Sequence, residues 1–215
     1  SADGTGGSAT FRDPEGLVVD SQGDLYVADT GNHMIRKVTS SGVVTTFAGS
    51  TSYGNLDGTG TSAKFNAPSG IVIDSNRNIF VSDYTESRLR KITSAGVVTT
   101  FAGGASSTNT LIDATGVAAK FASPAGLAID SSDNIFVADS YNNSIRKVTP
   151  SAVVTTIAGS PTDYATGGSP GGNLGNLDGA ANQASFFNPE GVAVGPNGVI
   201  YVSDTWNDQI RKITP

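Results

Sequence analysis

Apolar residues along this chain gather into short runs that turn residues cut off. The first fifty residues hold four such runs, Leu17 to Val19, Leu25 to Ala28, Met34 to Thr39 and Val43 to Ala48, with Asp20-Ser21-Gln22-Gly23-Asp24 separating the first two. Runs of this length, rich in β-branched residues and bounded by Gly, Asp, Asn and Ser, predict strands joined by tight turns. Crossing a bilayer as a helix takes about 20 apolar residues, so runs of a few residues predict no membrane insertion.

The pattern then repeats. Pro14, Pro68, Pro124 and Pro189 are each followed two residues later by glycine and 15 residues later by Asp29, Asp83, Asp139 or Asp204. Seven residues past each aspartate stands Arg36, Arg90, Arg146 or Arg211, always followed by lysine, and 11 residues before each proline stands Asp3, Asp57, Asp113 or Asp178. None of these spacings varies. Four short strands per copy, in four copies held in register, predict an all-β protein built of four blades. Each blade is a four-stranded antiparallel sheet whose faces are buried only against neighbouring blades. One domain is expected over 1–215, with repeats at about 3–49, 57–103, 113–159 and 178–215.

The last copy ends differently. Copies one to three finish on a run such as Val43-Val44-Thr45-Thr46-Phe47-Ala48-Gly49, whereas copy four finishes at Ile213-Thr214-Pro215, so the fourth blade is expected to lack its outer strand. Its third strand, Gln209, Ile210, Arg211, Lys212, Ile213 and Thr214, is then an open edge with unpaired backbone donors and acceptors. The segment from Asp3 to Phe11 aligns with 57–65, read as loop, and offers no replacement strand. Open edges accept strands from partners. The fourth blade is expected to be completed by another chain or by residues beyond this one, and in the first case a protein partner or self-association is expected, including a head-to-tail oligomer or filament.

The string Asp29-Thr30-Gly31-Asn32-His33-Met34-Ile35-Arg36-Lys37-Val38 closely resembles the signature of the NHL-repeat family, and Ile135-Phe136-Val137-Ala138-Asp139 resembles that family's second strand. The resemblance covers nearly the whole chain and implies a β-propeller. NHL propellers usually have six blades whereas this sequence supplies four, which leaves a closed four-bladed ring and an arc of a six-bladed ring as alternatives. Relatives in the family include a zinc-dependent amidating lyase that holds its metal with several histidines, and animal propellers that bind RNA on a basic face.

Composition weighs against both of those activities. The chain has a formal net charge of −6, no cysteine and a single histidine, His33. Without cysteine there is no disulfide, thiolate metal site or cysteine nucleophile. One histidine does not make the lyase's metal site, and Glu15, Glu86 and Glu190 are the only glutamates for acid–base work. No catalytic residue, cofactor or metal is expected. Eight of the 13 basic residues belong to the four Arg-Lys pairs, so an acidic chain offers no separate basic patch to nucleic acid.

Function is then sought where the copies differ. The connection leaving each outer strand varies in length, from Gly49 to Asp57, Gly103 to Asp113 and Gly159 to Asp178. In an up-and-down blade it emerges on the same face as the turn between strands two and three. That turn places Gly31, Thr85, Tyr141 and Trp206 at one aligned position and His33, Ser87, Asn143 and Asp208 at another. Tyr84, Tyr141, Trp206 and His33, with the insertion from Ser160 to Leu177, are candidate ligand or partner contacts, because aromatic side chains on such loops recur in recognition surfaces. The competing reading is that they pack on neighbouring loops. Asp20, Asp74 and Asp130, which end first strands, are read as turn formers rather than cation ligands. Asp57-Gly58-Thr59-Gly60 lacks the alternating carboxylates of a calcium loop. The expectation is a non-catalytic binding or assembly module, secreted or displayed at a cell surface, with a propeller enzyme or the sensing domain of a larger receptor as the alternative.

Overall fold

A computed structural model describes residues 1–104, 111–159 and 175–215. These form two compact units, Ser1–Phe101 and Ala102–Pro215, each holding two blades. In the first unit, blade 1 comprises β1 (Gly4–Thr5), β2 (Pro14–Val19), β3 (Leu25–Asp29), β4 (Met34–Val38) and β5 (Val43–Gly49). Blade 2 repeats it as β6 (Gly58–Thr59), β7 (Pro68–Ile73), β8 (Ile79–Asp83), β9 (Arg88–Ile92) and β10 (Val97–Ala102). In the second unit, blade 3 is β11 (Pro124–Ile129), β12 (Ile135–Asp139), β13 (Ser144–Val148) and β14 (Val154–Gly159), and blade 4 is β15 (Pro189–Val194), β16 (Ile200–Asp204) and β17 (Gln209–Ile213). The expected propeller blades are there, and the sheet of blade 4 has three strands.

One element differs from the expectation. The segments after Asp3 and Asp57, read as loops, each supply a two-residue fifth strand that pairs outside the outer strand of its own blade, Thr5 opposite Val43 and Thr59 opposite Val97. Blade 3 keeps a single bridge at the same place, Thr115 to Val153. The cause is the aspartate that precedes each segment. Asp3 Oδ1 accepts from Arg36 Nη2 at 2.8 Å and from the Thr46 hydroxyl at 3.0 Å, and Oδ2 accepts the Thr46 amide at 3.1 Å. Burial works against ionisation of Asp3 and Asp113, but the amide and hydroxyl of Thr46 or Thr156 and the nearby arginine outweigh it and hold both carboxyls below the usual range.

The same arginine ties the rest of the blade. Arg36 Nη1 donates to Asp29 Oδ2 at 2.8 Å and to the Thr10 carbonyl at 3.1 Å, and Nη2 donates to the Ala2 carbonyl at 2.9 Å. Its guanidinium carbon lies 5.1 Å from the centre of the Phe11 ring. Arg36 and Asp29 are both fully buried, and the set recurs around Arg90, Arg146 and Arg211. The sequence register makes this possible: Arg36 lies opposite Val27 on β3, two residues from Asp29, so both side chains project from the same face.

Apolar side chains join the blades within each unit. Tyr26, Ile35 and Ala48 of blade 1 cluster with Ala63, Phe65 and Ile71 of blade 2, and Phe136, Ile145 and Ala158 of blade 3 with Phe186, Ile200 and Val202 of blade 4. Each large side chain buried in this way is worth about 1.5–3 kcal/mol. The inner strands approach so closely that the glycines two residues after Pro14 and Pro124 are required: a Cβ on Gly16 would sit 2.1 Å from the Ser69 carbonyl oxygen, and one on Gly126 2.5 Å from that of Glu190. Polar links reinforce the seam. The hydroxyls of Thr30 and Ser140 donate to the carbonyls of Pro68 and Pro189, each at 2.6 Å. His33 Nδ1 accepts the Ala67 amide at 3.1 Å, and Asn143 Oδ1 accepts the Asn188 amide at 2.8 Å.

Two predictions follow from these contacts. Replacing Arg146 by Met strands Asp139 as an unpaired buried carboxylate and is expected to cost about 3–5 kcal/mol, read from the urea midpoint. Asp113→Asn, on the exposed side of the same network, is expected to cost much less, and equal losses would contradict the ordering. The second prediction concerns pH. Burial, with the nearby Arg12 charge, lowers the pKa of His33 below the ordinary histidine value. The unfolded chain therefore takes up the proton first as pH falls, so this contribution is complete above about pH 6.5 and is lost as pH drops through the lower folded value. In His33→Asn the amide acceptor persists without titrating, as Asn143 does in blade 3. The midpoint difference between wild type and this variant is expected to move against the wild type between pH 7 and 5, and a constant difference would refute the link.

Candidate functional site

The turn between the second and third strands starts the same way in each blade. Asp29 Oδ1 accepts the Arg12 amide at 2.7 Å, and Asp83, Asp139 and Asp204 accept the amides of Asn66, Ala122 and Phe187 at the same distance. The chain then makes a single turn of 3-10 helix in blades 1, 3 and 4, Thr30–Asn32, Ser140–Asn142 and Thr205–Asn207. Its last residue returns an amide nitrogen to the aspartate, Asn142 Nδ2 to Asp139 Oδ2 at 2.8 Å and Asn207 Nδ2 to Asp204 Oδ2 at 2.9 Å. A left-handed residue ends each turn, with φ of 59° at His33, 50° at Asn143 and 53° at Asp208. The backbone at the turn tip is thus fixed from both sides.

What the tips carry differs from blade to blade. In the second unit Tyr141 and Trp206 stand at equivalent positions on the same face of neighbouring blades, 42% and 60% exposed. Their amides donate to the carbonyls of Ala122 and Phe187, each at 3.1 Å. The Trp206 ring leans edge-on against Phe187 at 4.8 Å, which anchors it and leaves the rest of the indole to solvent. In the first unit Tyr84 is half-buried, and His33 spends its Nδ1 on the seam to blade 2. Tyr53, not singled out from the sequence, is exposed with its ring centre 5.7 Å from that of His33. The signal for it was its place in the variable connection between Gly49 and Asp57. Of the insertion from Ser160 to Leu177, residues 160–174 lie outside the described residues.

Blade 2 departs from its neighbours. Glu86 occupies the position of Asn32, Asn142 and Asn207, so Asp83 lacks that amide donor and faces a second carboxylate. Burial pushes the Asp83 carboxyl up to about 7, against the pull of the Asn66 amide and Arg90, and Glu86 adds to the push. Asn55 and Asn66 donate to the two oxygens of Glu86 at 2.9 and 3.0 Å.

The first-strand aspartates form turns. Asp74 Oδ1 accepts the amides of Asn76 and Asn78, Asp130 Oδ1 those of Ser132 and Asn134, and Asp20 adds a 3.1 Å pair with Arg77 of blade 2. Among the described residues no three His, Asp or Glu side chains are grouped to hold a metal ion. Also among the described residues, no helix is long and apolar enough to cross a membrane.

Gln209–Ile213 pairs with β16 on one side, and among the described residues no strand pairs with its other side. Thr214 lies just past the strand. Arg211 is buried within the Asp204 network, whereas Gln209, Ile210 and Lys212 are exposed.

Known proteins share these features. The NHL repeat model matches residues 11–38, 121–148 and 186–213. NHL repeat-containing protein 2 of Bos taurus is 34% identical over 164 residues, covering 70% of this chain and 21% of that protein. Teneurin-1 of Homo sapiens is 26% identical over an alignment that covers 98% of this chain and 8% of teneurin-1. The chain therefore spans about a fifth of the first of these relatives and less than a tenth of the second. Among solved structures, an auxiliary nutrient binding protein from Bacteroides ovatus superposes with a TM-score of 0.71 at 19% identity, over 96% of this chain and 49% of that one. A virginiamycin B lyase from Staphylococcus aureus superposes with a TM-score of 0.61 at 15% identity, over 96% and 54%. With the repeat model matched in blades 1, 3 and 4 and blade 2 built on the same Asp–Arg network, the chain belongs to the NHL-repeat β-propeller family.

Proposed function

We propose that this chain is a non-catalytic binding module that presents its variable loop face to a ligand or protein. The observation that carries the reading is the pair of exposed rings, Tyr141 and Trp206, on turns whose backbones are held by buried aspartates. A ring fixed before binding loses little freedom on contact, so its apolar area converts to affinity efficiently. The nutrient-binding description of one structural neighbour favours a soluble ligand, and together with the teneurin relatives it favours a secreted or surface location. The non-catalytic part of the proposal draws on the single histidine, whose Nδ1 already accepts a structural hydrogen bond.

Trp206 is the only tryptophan in the chain, so its emission reports directly on this face. Titration with a panel of neutral oligosaccharides and short peptides is expected to give at least one saturable shift of Trp206 emission, and Tyr141→Ala is expected to weaken it about tenfold or more. A panel that leaves the emission unchanged, or a shift indifferent to Tyr141, would overturn the loop-face reading.

A further inference from the structure

Blade 2 ties down its loop differently from its neighbours. In blades 1, 3 and 4 an asparagine at the end of the turn returns its amide to the buried aspartate. In blade 4 the same Asn207 Nδ2 also donates to the Gly175 carbonyl at 2.9 Å, so one neutral group links the turn to the connection that precedes the blade. Blade 2 makes the corresponding link with a charge. Glu86 stands where the asparagine would, and its Oε2 accepts from Asn55 Nδ2, in the connection and two residues from the exposed Tyr53, at 2.9 Å. Asn66 is then shared by two carboxylates: its main-chain amide donates to Asp83 Oδ1 at 2.7 Å and its side chain to Glu86 Oε1 at 3.0 Å. Asp83 is fully buried and Glu86 half-buried. A second carboxylate set against a buried one breaks the rule that stabilises the other three blades, and such departures mark positions with a task other than folding.

We infer that Glu86 is a clamp on the connection before blade 2, residues 50–56, and that the charge on Asp83 sets its grip. While Asp83 carries a proton, Glu86 is the one negative charge on Asn66 and holds Asn55, and with it the segment that bears Tyr53. When Asp83 ionises, two like charges share one donor residue. Asp83 is held inside the blade by Arg90 at 3.1 Å, so the half-buried Glu86 is the group that yields, and the connection loosens with it. Burial, against the pull of the Asn66 amide and Arg90, puts the Asp83 carboxyl at about 7, so the clamp is firm below that pH and weakens above it. Burial raises the Asp139 carboxyl of blade 3 as well, but there the Asn142 amide faces it in place of a second carboxylate. The other charges around the pair are Arg88, opposite Asp83 on β9, Asp57, bound to Arg90, and Lys64, whose side chain passes Gly54. His33, beside Tyr53, is held below the ordinary histidine value by burial and Arg12 and is largely neutral above about pH 6.5.

The clamp is independent of the ligand reading of Tyr141 and Trp206, and its test needs no ligand. Amide hydrogen exchange is followed by NMR from pH 6.5 to 8.5 and corrected for its intrinsic pH dependence. The reporter is the Gly54 amide, which donates to the Phe65 carbonyl at 3.0 Å. The controls are the Lys120 amide, which ties the equivalent connection of blade 3 to the Ile112 carbonyl at 3.1 Å, and the amides of Val81 and Arg90, paired within the sheet of blade 2. Protection at Gly54 is expected to fall about tenfold over this range, the scale on which paired carboxylates interact, while the controls keep theirs. Glu86→Gln keeps an acceptor without the charge and is expected to make Gly54 protection constant. Protection at Gly54 that is indifferent to pH in the wild type, a fall that persists in Glu86→Gln, or a fall shared by Val81 and Arg90, which reports loosening of the whole blade, would each overturn the inference.

Discussion

Every blade depends on one buried ion pair. An arginine and an aspartate with no exposed surface, Arg36 with Asp29 in the first copy, are costly to place in a protein interior unless each charge is paired and its remaining polar atoms are bonded. Here the two Nη atoms of the guanidinium reach two carbonyls and a second carboxylate, its buried Nε has no hydrogen-bond partner among the described residues, and the aspartate reaches the backbone of the segment that precedes the inner strand. Four stretches of chain, around Ala2, Thr10, Asp29 and Arg36, are thereby joined at one point. A ring lies beneath each arginine, Phe11, Phe65, Phe121 or Phe186, and supplies an apolar and weakly negative floor.

That junction explains why the spacing was legible. Moving Asp29 or Arg36 by one residue along its strand would turn the side chain to the opposite face, and moving Asp3 would uncouple the outer strand. Fixed spacing is therefore the trace of a fixed network, and the blades and their order could be read from it. The fifth strand could not, because Gly4-Thr5 has no strand pattern of its own. It forms because Asp3 binds the arginine on one side and Thr46 on the other, two residues that lie 33 and 43 positions away in the chain.

The candidate site was legible to a lesser degree, for the opposite reason. Variable positions announce themselves as departures from the repeat, but a departure does not say whether the new side chain faces solvent or a neighbour. Tyr141 and Trp206 are exposed, as a recognition surface needs. His33 looked equally distinctive, yet it does for blades 1 and 2 what Asn143 does for blades 3 and 4, accepting an amide across the seam. Two chemically unlike residues perform one task because the task requires only an acceptor on a left-handed residue. Glu86 is the reverse case, a single change from the asparagine of the other blades that alters the charge balance around Asp83.

The division of labour within each repeat follows from where the network stops. Its hydrogen bonds hold the start and end of the second turn, at Asp29 and Asn32 or their equivalents in blades 3 and 4, while the tip residue between them changes from blade to blade. Glycine, threonine, tyrosine and tryptophan all occupy that tip without disturbing the backbone beneath, so the position can change while the fold stays constant. The outer edge obeys a stricter rule. There the network continues through the aspartate into the next strand, and whatever strand lies against it must satisfy that carboxylate as Thr46, Thr100 and Thr156 do. One end of the network thus permits diversity on the loop face, and the other end imposes a chemical requirement on the blade edge.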